Sequence, residues 1–324
     1  MVQSTQFTKR ILITDPLAPS AVAELRKEFE VVEVHYSPEE LLEEISEFNA
    51  LIIRSATKVP REVIEKGRKL EVIGRAGIGV DNIDVKAALE RDILVVNAPG
   101  SSSVSVAELT MAFMLALCNQ LVDVANTTKS KRKLKKKLMR SELYGKTLGC
   151  IGCGKVGVEV TSRANVFGMK CLVYSPNLPP KATEGMEVER IDELDHLLRV
   201  SDFITIHTNL KPETHGLISK RELELMKPTA YLINCARGGI IDEDALYDAL
   251  KEGKIAGAAL DVYSKEPATN DKLLELDNLY ASPHIGASTS EAQERVGKII
   301  IDQVRKALLG LNPDFIVEKS FFIG

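Results

Sequence analysis

Thr147-Leu148-Gly149-Cys150-Ile151-Gly152-Cys153-Gly154-Lys155-Val156-Gly157 runs an apolar strand pattern straight into G-x-G-x-x-G and on into a helical pattern. In that context each glycine has a task. Gly152 permits the tight turn, Gly154 lets backbone N–H groups approach a pyrophosphate at the positive end of the following helix, and Gly157 lets that helix lie close on the strand. A dinucleotide is the expected ligand, with Cys153, Lys155 and Val156 completing the loop. Taken alone, the glycines also fit a strand-to-helix turn of another α/β protein. The next apolar stretch, Lys170–Tyr174, ends about 20 residues further on, where a Rossmann βαβ unit meets the adenosine ribose. Ser175 stands there instead of an acid, followed by Pro176 and Asn177. A nicotinamide dinucleotide is therefore expected, with NAD favoured and NADP permitted. No carboxylate repels a 2′-phosphate, but Lys181 is the nearest cation and no arginine comes before Arg190.

Outward from this segment, strand patterns alternate with helical ones, as in a doubly wound parallel sheet. One set of strands is predicted near Arg10–Thr14, Val31–His35, Ala50–Arg54, Val72–Arg75 and Leu94–Asn97. A second set follows the glycine loop, near Phe203–His207, Ala230–Asn234, Ala256–Asp261 and Leu279–Ser282. The expected class is α/β, with two Rossmann-like doubly wound parallel-sheet domains. Ser105-Val106-Ala107-Glu108 reads as a capping box opening a long helix, whose apolar run Leu109–Leu117 predicts a buried link between the domains. A last helical pattern, Ser288 to Leu309, is expected to return to the first domain.

The chain's 324 residues, 44% hydrophobic content and formal net charge of −4 fit an ordinary globular enzyme and imply neither nucleic acid nor membrane as partner. No apolar run approaches the roughly 18 residues that span a bilayer, and Lys9 and Arg10 precede a short strand rather than a signal-peptide core, so a cytoplasmic location is expected. Cys118, Cys150, Cys153, Cys171 and Cys235 lie mostly in apolar patterns, as reduced thiols do. Cys150-x-x-Cys153 matches a redox pair only formally, since it straddles strand and glycine turn. No metal site is expected. The basic run from Lys129 to Arg140 reads as a solvated helix end, with attraction of phosphates or acidic substrates as the alternative. It holds no aromatic residue for base stacking, which argues against specific nucleic-acid binding.

Catalytic chemistry is predicted where three later strands end. Tyr231–Cys235 runs into Ala236-Arg237-Gly238-Gly239, Ala258–Val262 leads to Glu266-Pro267, and Leu279–Ser282 leads to Pro283-His284-Ile285-Gly286. Ligands of open parallel sheets bind outside the carboxyl ends of the strands, so Arg237, Glu266 and His284 are expected to converge there. Reducing a 2-keto acid needs a cation to grip the carboxylate and polarise the carbonyl, and an acid to protonate the forming alkoxide. Arginine and histidine supply these. Glu266 against the imidazole would favour its charged form. Singly, the three also fit a structural ion pair, an exposed turn and a satisfied loop histidine.

The segments Arg54–Val59 (RSATKV), Gly74–Asp84 (GRAGIGVDNID), Glu142–Gly157, Asn234–Asp242 (NCARGGIID), Gly257–Pro267 (GAALDVYSKEP) and Ser282–Gln293 (SPHIGASTSEAQ) resemble the D-isomer-specific 2-hydroxyacid dehydrogenases. The resemblance runs from about Arg10 to Leu309. It implies a catalytic Arg237, Glu266 and His284, and cofactor contacts that add Tyr174, Ser175, Pro176, His207, Thr208, Cys235, Ala236, Asp261 and Gly286 to the glycine loop. It also implies a discontinuous substrate domain, 1–98 with 287–324, around a dinucleotide domain, 99–286. Arg54, Ser55, Arg75, Ala76 and Gly77 are the implied substrate contacts, suited to a small molecule carrying a carboxylate and a phosphate. The implied reaction is NAD(P)-dependent oxidation of 3-phosphoglycerate to 3-phosphohydroxypyruvate, which opens serine synthesis. Reduction of glyoxylate or hydroxypyruvate is the enzymatic alternative, and a dinucleotide-sensing, corepressor-like binding protein is the other. Long helices after the hinge imply a homodimer. Ser175 replaces the family's usual Asp, Gly100-Ser101-Ser102 a more asparagine-rich hinge turn, and the Lys129–Arg140 run lacks a tryptophan often found there. No regulatory domain of the kind in longer members is expected after Leu309.

Overall fold

The computed structural model describes residues 8–131, 139–176, 178 and 180–317. The chain forms two compact units, one built from residues up to Ser102 and from Ser288 onward, the other from Ser103–Ala287.

The first unit carries β1 (Arg10–Ile13), β2 (Glu30–Glu33), β3 (Ala50–Ile53), β4 (Val72–Arg75) and β5 (Leu94–Val96), in the order β2-β1-β3-β4-β5. Every pairing is parallel, so helices must cover both faces. The two-residue period sorts the strands accordingly: Leu12, Leu51, Ile53, Ile73 and Val95 enter one core, and Ile11, Ile13, Ala50, Ile52, Val72 and Val96 the other. The second core is closed by the helix Ser290–Leu308, which buries Val296, Ile300, Val304 and Leu308 and so returns to this unit as expected. Gly74 permits the close packing, because a Cβ there would lie 2.6 Å from Val304. Cutting Ile300 to alanine should cost about 2–5 kcal/mol.

The second unit carries β6 (Thr147–Ile151), β7 (Lys170–Tyr174), β8 (Val188–Arg190), β9 (Phe203–Ile206), β10 (Tyr231–Asn234), β11 (Gly257–Leu260) and β12 (Leu279–Ala281). Their order is β12-β11-β10-β9-β6-β7-β8, again all parallel. The chain winds outward in both directions from the β6/β9 pair, the switch point at which such sheets bind ligands. On one face the helices Ser103–Asn119 and Lys155–Val166 cover Leu148, Cys171, Phe203 and Ala259. On the other, Leu197, Leu223 and Leu246 cover Ile151, Leu172, Ile204 and Leu260.

Two expectations need correction. The long helix begins at Ser103, so Ser105 lies inside it as a buried residue, not as the first residue of a capping box. β8 was not anticipated, because Val188-Glu189-Arg190 offers a single apolar residue to a period-two pattern. Within the basic run, the helix Leu121–Lys129 ends at Lys129, and Arg140 donates to Asn119 Oδ1 at 2.8 Å. Residues 132–138 of that run lie outside the described residues, as do Asn177 and 318–324. Among the described residues no single helix is long and apolar enough to cross a membrane.

Candidate active site

Every second-unit residue predicted to meet ligand sits where a strand of the seven-stranded sheet ends, in the loop that follows, or in the first turn of the next helix. Gly152–Gly157 follow β6, Tyr174–Pro176 close β7, His207 and Thr208 follow β9, Cys235–Arg237 follow β10, Asp261 follows β11, and His284 and Gly286 follow β12. The glycine loop fits a pyrophosphate. Gly152 has φ +82°, and a Cβ on it would strike the His207 carbonyl at 2.7 Å, while one on Gly157 would strike the Gly152 carbonyl at 2.6 Å. Gly154 instead faces open space at the first turn of the helix Lys155–Val166, and no side chain caps that helix. The loop thus excludes a side chain at Gly152 and at Gly157 and leaves room at Gly154, the shape a pyrophosphate at a helix N-terminus needs. Gly152 N–H donates to the Tyr174 carbonyl at 2.8 Å and His207 N–H to the Ile151 carbonyl at 2.7 Å, so three strand ends are stitched together. Both His207 ring nitrogens are enclosed without a partner, and burial pushes its pKa down to about 4. His207 therefore sits there as a neutral ring. Cys235, beside it in the sheet edge, is pushed up to about 12 by burial and remains a thiol.

Arg237, Glu266 and His284 are brought together through their backbones. Asn234, buried at the end of β10, shapes the first loop: its amide donates to the Arg237 carbonyl at 2.9 Å and its Oδ1 accepts from Ala236 N–H at 3.0 Å. Gly238 then lies so close to the next loop that a Cβ would fall 1.7 Å from the Tyr263 carbonyl. That next loop carries Glu266, whose Oε1 accepts from Tyr263 N–H at 3.3 Å and whose Oε2 meets His284 Nδ1 at 2.7 Å. Asp261, 1% exposed, holds the His284 loop by accepting from Ser282 Oγ at 2.5 Å and from the N–H groups of Ile285 and Gly286 at 2.8 Å each. Tyr263, whose pKa burial raises to about 12, donates its hydroxyl to the Leu260 and Ser282 carbonyls across the same two strand ends. His284 itself adopts φ +53°, a left-handed conformation unusual for a residue with a Cβ and held by these contacts. The His284 and Glu266 side chains remain 45% and 38% exposed, open to a ligand. A carboxylate-oriented imidazole next to an arginine loop can move a proton to or from an oxygen while an anion is held.

The first unit presents its own set of donors at the ends of β3 and β4. Asp15, 3% exposed after β1, accepts from Arg54 N–H at 2.6 Å, Thr57 N–H at 3.2 Å and Thr57 Oγ1 at 2.9 Å. Asn82 ties the other side by donating to the Arg54 and Thr57 carbonyls at 2.8 and 2.6 Å. The loop that exposes Ser55 and half-exposes Arg54 is thus fixed at both ends. At the end of β4, the Arg75 guanidinium donates to the Ala76 carbonyl at 3.3 Å and crosses the space above Gly77, where a Cβ would lie 1.3 Å from Nη1. Asp15, Asn82 and Asn234 escaped the sequence reading. Asn234 closes an apolar strand and Asp15 lies just beyond one, which are faint signals, whereas Asn82 sits in a loop well past β4 and carried none.

The sequence model described as "D-isomer specific 2-hydroxyacid dehydrogenase, NAD binding domain" matches residues 111–286, more than half of the 324. The chain belongs to that family. Among its relatives in the D-isomer specific 2-hydroxyacid dehydrogenase family, the D-3-phosphoglycerate dehydrogenase of Methanocaldococcus jannaschii is 50% identical over 302 residues, 93% of this chain but 58% of that protein. The hydroxypyruvate reductase of Thermotoga maritima is 45% identical over 304 residues, 92% of this chain and 98% of that protein. The solved structure of the TT0316 protein from Thermus thermophilus superposes with a TM-score of 0.88 at 33% identity, covering 95% of this chain and all of that one. The chain thus spans little more than half the length of the archaeal phosphoglycerate dehydrogenases it resembles, 58% in each of two cases. Membership makes a nicotinamide dinucleotide the cofactor of the Ser103–Ala287 unit.

Proposed function

We propose that this chain oxidises D-3-phosphoglycerate at C2 to 3-phosphohydroxypyruvate with NAD as the favoured cofactor, the step that opens serine synthesis. The observation that carries the reading is the 2.7 Å contact of Glu266 with His284 Nδ1, on a loop packed against the one bearing Arg237. With its Nδ1–H held by the carboxylate, the ring keeps Nε2 as the acceptor that takes the C2 hydroxyl proton on oxidation and returns it on reduction. Arg237 grips the substrate carboxylate and polarises the C2 oxygen as it becomes a carbonyl. When bound, the nicotinamide supplies the acceptor for the hydride that leaves C2. Arg54, Ser55, Arg75 and the backbone of Ala76 and Gly77 are assigned to the anionic groups of the substrate, where arginine forks match both carboxylate and phosphate. Cys153, Lys155 and Val156 complete the pyrophosphate loop, with Tyr174 to Pro176 at the ribose and His207, Thr208, Cys235, Ala236, Asp261 and Gly286 lining the dinucleotide's path. A cytosolic homodimer completes the reading. Five buried, unpaired cysteines fit a reducing compartment, and Leu121 and Val122 are exposed on a helix with no buried residue.

Reduction of hydroxypyruvate is the second reading, favoured by the Thermotoga maritima relative, which this chain covers almost end to end. Steady-state kcat/KM with phosphohydroxypyruvate, hydroxypyruvate and glyoxylate separates the two. The phosphoglycerate reading expects phosphohydroxypyruvate to lead by about tenfold or more, the worth of one or more charged hydrogen bonds. A lead for hydroxypyruvate reverses the assignment, and intact dinucleotide binding without turnover of any of the three favours a dinucleotide-sensing binding protein.

A further inference from the structure

The missing acid at Ser175 leaves open what meets the 2′ group of the adenosine ribose, and the unanticipated strand β8 brings a candidate. Arg190 lies fifteen residues after Ser175 in sequence but beside it in the sheet. β7 and β8 run parallel with Val173 opposite Arg190, and Ile191 N–H donates to the Val173 carbonyl at 2.9 Å. Arg190 therefore stands at the strand end next to Tyr174 and Ser175. Its guanidinium Nη2 donates to the Leu178 carbonyl, and Leu178 N–H donates to the Ser175 carbonyl at 3.0 Å, which ties the guanidinium to the end of β7. A guanidinium carries five N–H donors, and this contact uses one of them. The Tyr174 carbonyl accepts from Gly152 N–H, tying this turn to the glycine loop. The Cys153 thiol in that loop is held below its ordinary value first by its hydrogen bond to Cys150, and the Arg190 charge adds to the effect from across the turn.

A ribose site that selects NAD places a carboxylate on the 2′- and 3′-hydroxyls, and one that accepts NADP places an arginine near the 2′-phosphate. Here the carboxylate position holds Ser175 and a guanidinium borders the same turn. We propose that Arg190 is the residue that sets cofactor choice, engaging an adenosine 2′-phosphate so that the protein accepts NADP(H) as well as NAD(H). This deepens the cofactor half of the reading above and rests on the glycine loop holding the dinucleotide, not on which hydroxy acid is turned over.

The test is calorimetric titration of the intact protein with ADP-ribose and with 2′-phospho-ADP-ribose, which needs neither substrate nor turnover. Wild type should bind both within about tenfold of each other. Arg190→Gln should weaken the 2′-phosphorylated ligand by about 10- to 100-fold, the worth of one charged hydrogen bond, and leave ADP-ribose within about threefold. The kcat/KM for NADPH relative to NADH should fall in the same ratio. Ser175→Asp, which restores the repelling charge with Arg190 in place, should reject the 2′-phosphate and tighten NAD. Where Arg190→Gln loses its fold with the Leu178 contact, Arg190→Lys carries the test, keeping the charge without the fork and expected to lose several-fold on the phosphorylated ligand alone. Equal weakening of both ligands in the arginine variants, or a wild type that binds ADP-ribose and ignores its 2′-phosphorylated form, overturns the proposal. Either result leaves the hydroxyacid reading standing, whereas failure to bind both ligands removes the dinucleotide site itself.

Discussion

Replacing Glu266 by glutamine isolates the contact on which proton transfer rests. The carboxylate lies 2.7 Å from His284 Nδ1 and also accepts from Tyr263 N–H at 3.3 Å, so an isosteric amide keeps the loop's shape while removing the charge opposite the imidazole. A hydrogen bond to a charged partner contributes roughly 1.5–3 kcal/mol when enclosed. Both side chains are well exposed, at 45% and 38%, so solvent screening calls for the lower part of that range. A loss of about 1–2 kcal/mol in transition-state stabilisation corresponds to a 5- to 30-fold fall in kcat. The assay is steady-state reduction of phosphohydroxypyruvate at saturating substrate and cofactor, paired with a fluorescence titration of the dinucleotide alone. A kcat within twofold of wild type would refute a role for Glu266 in orienting the imidazole. A parallel loss of dinucleotide affinity would show that the substitution disturbed the strand ends instead.

Three further outcomes are expected. Asp15→Asn puts an amide against the N–H groups of Arg54 and Thr57, so KM for the phosphorylated substrate should rise about tenfold or more with kcat within about threefold; unchanged KM would separate this buried network from the substrate loop. Arg54→Gln or Arg75→Gln should hurt phosphohydroxypyruvate about 10- to 100-fold more than glyoxylate, which carries no phosphate, and equal losses would point to carboxylate binding or structural damage. His207 has a folded pKa of about 4 against an ordinary 6.5, so the unfolded chain takes up a proton that the folded protein refuses. Stability is then insensitive to this group above about pH 6.5 and falls as pH drops toward 4, by roughly 3 kcal/mol in all. Denaturant unfolding at pH 7.5 and 4.5 should show a shallower pH slope in His207→Leu, and an unaltered slope would mean that the ring is reached by solvent or a partner.

The parts of the molecule that were legible in sequence share one property: their chemistry is local. The strand-loop-helix around Gly152 declares itself through its glycine spacing, with Gly152 and Gly157 excluding a Cβ, and the β10, β11 and β12 loops through a reactive side chain in the loop after an apolar run. What escaped depends on partners distant in the chain. β8 has one apolar residue because it is an edge strand, and without it the fourteen residues between Ser175 and Arg190 read as a separation. Asp15 looks like a turn residue until β1 and β3 are paired and its oxygens meet the Arg54 loop. Ser105 and Glu108 have the right spacing for a capping box, but burial of Ser103 and Ser105 carries the helix two residues further back.

The most direct measurement is the turnover of His284→Ala at saturating phosphohydroxypyruvate and dinucleotide, with the dinucleotide dissociation constant measured alongside. General acid–base catalysis by this side chain predicts a fall in kcat of about 10²- to 10⁴-fold with cofactor affinity within about threefold of wild type. Turnover within a few-fold of wild type would contradict it, and would take proton transfer away from His284 and the Glu266 contact that orients it.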